Sequence, residues 1–69
     1  MAKSKEIEIN ISPLGSKFYK ENGLLHRDNN LPAIEWFNGD KEFWTKGKLT
    51  KRILSTGKIY FFKNNVLIN

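Results

Sequence analysis

The sequence predicts an all-β protein, an antiparallel meander of repeated β-hairpins. Three observations point there. Apolar and polar residues alternate in short runs, and no window places apolar residues at helical spacing. Dipeptides such as Asn-Gly punctuate those runs where hairpins turn. Three stretches also align without gaps: GSKFYKENGLLH (15–26), GDKEFWTKGKLT (39–50) and GKIYFFKNNVLI (57–68). Each opens on a glycine: Gly15, Gly39, Gly57. The fifth position is aromatic: Tyr19, Phe43, Phe61. The ninth tolerates positive φ: Gly23, Gly47, Asn65. The eleventh is Leu25, Leu49 or Leu67.

Taken in order, the first strand is EIEINI, with Ile7, Ile9 and Ile11 on one face and Glu6, Glu8 and Asn10 on the other. Ser12-Pro13-Leu14-Gly15 turns the chain. Strands are then expected near 16–20, 24–28, 33–37, 40–45, 48–54, 58–63 and 66–68, after a first one at 5–11. Asn22-Gly23, Asn38-Gly39 and Asn64-Asn65 suit two-residue type I′ turns, and Lys46-Gly47 is a weaker version. The longest irregular piece runs from Asp28 to Pro32, because Pro32 cannot donate to a ladder.

Such turns fix which residues meet. Counted outward from each turn, Trp44 should face Leu49, Phe43 should face Thr50, and Phe62 should face Leu67. Across Asn38-Gly39, Ile34 should face Phe43, Glu35 should face Glu42, and Trp36 should face Lys41. Lys51 would then neutralise the acidic pair. In this register Trp36 and Trp44 lie on opposite faces, and both faces of the C-terminal half are apolar. A sheet in water normally keeps one polar face, so a second layer is expected. The candidates are the N-terminal Ile strand, rolling the sheet closed, and a second copy of the chain, closing it by homodimerisation.

Sixty-nine residues form one domain: 1–14 as strand and turn, and 15–69 as three hairpin units. A chain this short has a modest core, and without cysteine no disulfide can staple it. No apolar run approaches the roughly 20 residues of a membrane span. The charged start does not read as a secretory signal. A cytoplasmic protein without membrane contact is expected. The net charge of +5 is lopsided: residues 43–69 carry six basic side chains and no acid.

The stretch FYKENGLLHRDNNLPAIEWFNGDKEFWTKGKL resembles the MORN-like hairpin repeats of bacterial and phage proteins, in a small phage-type variant. Their units run aromatic–x–x–Asn–Gly–x–Leu–His–Arg, then Pro–Ala, Asn–Gly and Trp. Tyr19, Asn22, Gly23, Leu25, His26 and Arg27 carry the first part of the match. Pro32, Ala33, Asn38, Gly39, Trp44, Gly47 and Leu49 carry the rest. The resemblance covers residues 15–69. It implies an elongated or rolled antiparallel sheet used for protein or lipid contacts, with no catalytic residues. The units depart from it in spacing, 24 and then 18 residues between the opening glycines, and in the third unit's Asn65 and missing His-Arg.

His26 beside Asp28 raises acid–base chemistry, but no nucleophile motif accompanies them. A structural His26–Tyr19 cross-strand pair is the expected arrangement, with Arg27 stacked on Phe18. Asp28 is expected to pair with Arg27 or to start a turn at Asn29-Asn30. No cofactor, metal or enzymatic activity is expected. The leading expectation is a phage-encoded binding module that inhibits or modulates a host or defence protein in the host cytoplasm, through His26, Arg27, Trp36, Lys51, Arg52 and Tyr60. The alternative is a nucleic-acid-binding protein, with Lys46, Lys48, Lys51, Arg52, Lys58 and Lys63 on phosphates and Tyr60 or Phe61 stacking.

Overall fold

A computed structural model describes residues 6–68. The chain is all-β, a single open antiparallel sheet of eight strands. The strands are β1 (Ile7–Ile11), β2 (Lys17–Glu21), β3 (Leu24–Leu25), β4 (Ile34–Glu35), β5 (Lys41–Thr45), β6 (Lys48–Ile53), β7 (Ile59–Lys63) and β8 (Val66–Leu67). Their order in the sheet follows the chain, except that β3 and β4 both pair with β2. No helix occurs among the described residues.

Two turn types alternate. Asn22-Gly23, Lys46-Gly47 and Asn64-Asn65 hold both residues at positive φ, as a type I′ turn requires. The other turns are three-residue loops closed by Gly15, Gly39 and Gly57, with φ of 101°, 99° and 98°. In each, the glycine N–H bonds a carbonyl three residues back: Gly15 to Ser12, Gly39 to Trp36, Gly57 to Leu54. The turn at Asn38-Gly39 is therefore not the expected two-residue turn. It is a type I turn ending in a glycine bulge. A Cβ on Gly39 would sit 3.1 Å from the Ser55 Cβ, so this loop is also tightly stacked on the next.

One extra loop residue changes the register by one. Ile34 pairs with Glu42, not Phe43, and Glu35 with Lys41. Trp36 meets Asp40, whose carbonyl accepts the Trp36 N–H at 2.9 Å. Trp36 and Ile34 thereby move to the face that carries Trp44. The Trp44–Leu49 and Phe62–Leu67 pairs stand as expected. Thr50 is bulged out of β6, so Phe43 meets Lys51 and Glu42 meets Arg52.

The bulge and the unequal repeat spacing have one explanation. Tyr19 and Phe43 occupy the same place in their units. His26 donates its N–H to the Tyr19 carbonyl, and Tyr19 donates its own to Ala33. Residues 27–32 leave the ladder between those two bonds and return to it. At the matching place in the second unit only Thr50 is extra, its hydroxyl donating to the Phe43 carbonyl. The six residues 27–32 are the difference between spacings of 24 and 18. β3 and β4 are two halves of one strand interrupted by this excursion.

The apolar interior is small. Ala33 is fully buried and Ile34 nearly so, with Pro32 beside them. Phe18 meets Trp36 edge to face at 5.5 Å between ring centroids. Links between successive loops add order. Ser16 Oγ accepts the Phe37 N–H at 2.9 Å, and Asp40 Oδ1 accepts the Ser55 N–H at 2.8 Å. Ser16 and Asp40 each follow a turn glycine, and Phe37 and Ser55 each open the next glycine loop. The N-terminal Ile strand does not cover the sheet. It lies beside β2 as an edge strand, and the sheet is not closed.

Candidate functional site

Cross-strand partners share a face, so the register sorts the side chains. One face carries Phe18, Ile34, Glu42, Arg52 and Tyr60 in a row across the strands. The other carries Ile9 beside Tyr19, and Phe43, Lys51 and Phe61 in a second row. These are the Glu42 face and the Tyr19 face.

The Glu42 face is organised by charge. Glu42 is 6% exposed. Its Oε2 accepts the Trp36 indole N–H at 2.7 Å and its Oε1 accepts that of Trp44 at 2.9 Å. Arg52 approaches the same carboxylate at 3.3 Å and Asp40 at 3.2 Å. A buried carboxylate needs such donors, since leaving it unpaired costs several kcal/mol. The Ser55 backbone bond holds the Asp40 carboxyl below its ordinary range. Burial opposes that shift, and the Arg52 bond and charge add to it. Arg52, not Lys51, is thus the neutralising partner of Glu42. Its Nε is buried with no hydrogen-bond partner.

The Tyr19 face is apolar with more lysines than acids, and it also carries Glu21 and Glu35. Ile7, Ile9 and Ile11 are 64%, 54% and 64% exposed at one end. Ile59, Phe61, Val66 and Ile68 are exposed at the other. Lys17, Lys41, Lys51 and Lys63 lie between and around them. Residues 27–32 rise from this face. Leu31 closes an open groove of about 290 Å³ against Ile7, Ile9 and Tyr19.

The base of that excursion is rigidly tied. Arg27 stacks over Tyr19 at 3.8 Å, not over Phe18, and donates to the Pro32 carbonyl and to Glu35. Asn29 and Asn30 both hold positive φ and make the turn. Asp28 accepts from His26 at 2.7 Å, and Glu21 lies 3.9 Å from the same His26 nitrogen. These three side chains could reach a common metal ion. The tautomer opposes it. Nδ1 of His26 accepts the Lys46 N–H at 2.9 Å, so the ring proton resides on Nε2, where a metal would need a lone pair. His26 is a structural junction: it joins the first unit to the second hairpin turn, beside the Gly47 N–H bond to Leu25. In the third unit Asn65 makes the corresponding link, its side-chain oxygen accepting the Leu49 N–H. That link accounts for asparagine in place of glycine.

The residues expected to bind a partner fall on two sides. Trp36, Arg52 and Tyr60 lie on the Glu42 face, and the first two are held within its polar node. Arg27 and Lys51 lie on the Tyr19 face, Lys51 over the Phe43 ring at 4.4 Å. His26 is the junction between units. The basic set divides as well. Lys48, Lys51, Lys63 and Phe61 share the Tyr19 face, while Arg52 and Lys58 take the other, Lys58 near the Tyr60 ring. Lys46 sits in a turn. Sequence reasoning missed Asp40 and Glu42, because an acid alternating with apolar residues reads as solvent-facing.

No family model, curated protein or solved structure matches the chain.

Proposed function

We propose that the chain is a non-catalytic protein-binding module that contacts its partner through the Tyr19 face. The observation that carries this reading is the run of exposed isoleucine, valine and phenylalanine side chains on that one face. A soluble monomer rarely leaves so many large apolar side chains exposed on one face without a use. The interspersed lysines favour a partner whose apolar patch has an acidic rim. The repeated hairpin units support a MORN-like module of the small phage type. On that reading it acts in the host cytoplasm and inhibits or redirects a host or defence protein.

The test is capture of partners from nuclease-treated host lysate at low and high salt, by the native chain and by Phe61→Asp. The expected result is a discrete protein retained at high salt by the native chain and lost by the variant. Lys48, Lys51, Lys63 and Phe61 also offer a second reading, a nucleic-acid surface. Recovery of nucleic acid alone, with log affinity falling by about 0.7–0.9 per phosphate contact per log unit of salt, would replace the protein-binding reading.

A further inference from the structure

The free edge of β1 is built to meet a copy of itself. Glu6 and Ser12 direct their backbone bonds inward: Glu6 accepts from the Asn22 N–H and Ser12 donates to Ser16. Antiparallel ladders alternate inward and outward groups. The N–H and C=O groups of Ile7, Ile9 and Ile11 therefore point away from β2, along an edge with no other strand among the described residues.

We infer that two chains pair β1 against β1 in antiparallel register centred on Ile9, making one continuous sheet across a twofold axis. In that register Ile9 meets Ile9 of the second copy and Ile7 meets Ile11. Every outward amide group of the three isoleucines then finds a partner. The side chains agree with the backbone. Glu8 falls opposite Asn10 of the second copy, so carboxylates do not oppose each other. The two residues already bond within one chain, Asn10 Nδ2 donating to Glu8 at 3.3 Å. Directly opposed residues point to the same side, so the isoleucines of both copies form one apolar ridge on the joined Tyr19 faces.

The other sheet edge does not compete. The Ile68 N–H bonds the Phe61 carbonyl, which turns Val66 and Ile68 inward and leaves only Leu67 of β8 facing outward. A β1–β8 contact would match three outward residues with one. The β1 pair is self-complementary and closes, which an edge-to-tail chain does not. This assembly is independent of what the Tyr19 face binds.

Sedimentation equilibrium on the purified chain is expected to give twice the 8.1 kDa chain mass. Ile9→Pro removes an outward N–H while leaving the bonds to β2, and is expected to give a folded monomer with an unchanged far-UV spectrum. Asn10→Glu places carboxylates in opposition and is expected to weaken the dimer at least tenfold. The chain has no cysteine, so Ile9→Cys is a clean probe. Opposed Cα atoms lie about 5.5 Å apart in such a pair, within disulfide reach, and mild oxidation is expected to cross-link it. Ile7→Cys is expected not to cross-link, because four residues of offset separate its copies by roughly 13 Å. A native chain that stays monomeric at millimolar concentration overturns the inference. So does equal cross-linking of the two cysteine variants.

Discussion

Trp36 and Trp44 point their indole N–H groups at opposite oxygens of one buried carboxylate, that of Glu42. The two largest side chains in the molecule are thereby oriented by an acid, and Arg52 balances the charge. This node stands where a larger protein would have an apolar core. Folded chains are stable by roughly 0.05–0.15 kcal/mol per residue, so losing one charged hydrogen bond removes a substantial share.

Glu42→Ala is expected to destabilise the fold by about 3 kcal/mol, because it leaves the Arg52 charge short of a partner and two indole donors unsatisfied. Trp44→Phe removes one donor and is expected to cost about 1–2 kcal/mol. Urea titration followed by far-UV circular dichroism measures both. Equal midpoints for Glu42→Ala and the native chain would show that the node contributes nothing.

Asp40 supplies a pH dependence. Its folded pKa lies below the ordinary 3.8. Its contribution is therefore fully present above that ordinary value and is lost as pH falls through the folded one. Thermal melts of the native chain should lose stability in this acid range more steeply than those of Asp40→Asn. Parallel curves for the two proteins would contradict the assignment.

His26→Ala removes the acceptor of the Lys46 N–H and is expected to cost about 1–2 kcal/mol. Hydrogen exchange gives the sharper reading: the Lys46 amide should lose protection while amides of β1 keep theirs. Unchanged exchange at Lys46 would remove His26 from its role as a junction.

Deleting residues 27–32 joins His26 to Ala33 and gives the first unit the spacing of the second. The shortened chain is expected to keep the native far-UV spectrum, since Thr50 shows the ladder accommodating a single bulged residue at the matching place. It should also lose the groove beneath Leu31. Collapse to a disordered spectrum would mean that Arg27 and Pro32 are needed to form the sheet.

The meander was legible in the sequence because turn chemistry and alternation agree along its length. Strand identities and the Trp44–Leu49 and Phe62–Leu67 pairs followed from Lys46-Gly47 and Asn64-Asn65. Asn38-Gly39 was misleading for a physical reason: Asn-Gly serves both a two-residue turn and the end of a three-residue glycine loop. That one residue moved Trp36 and Ile34 across the sheet and concealed the Glu42 node. Thr50 carries no mark of a bulge, so Lys51 rather than Arg52 seemed to oppose Glu42. The Tyr19 face was visible only as surplus apolar alternation in Ile7, Ile9, Ile11, Ile59 and Phe61.

The bulge at Thr50 has a consequence for how such a chain can change in length. Each two-residue turn exchanges odd and even positions between the faces. The single extra residue Thr50 exchanges them back, as does the odd-length stretch from His26 to Pro32 in the first unit, so Phe18, Ile34, Glu42, Arg52 and Tyr60 are all even-numbered neighbours on one side. Removing Thr50 alone would leave Leu49, Lys51 and Arg52 opposite Trp44, Phe43 and Glu42, now in an uninterrupted ladder. A single-residue indel that no bulge absorbs turns the residues beyond it over, much as a frameshift acts on a reading frame, and the bulge at Thr50 is a place where one residue can be lost without that effect.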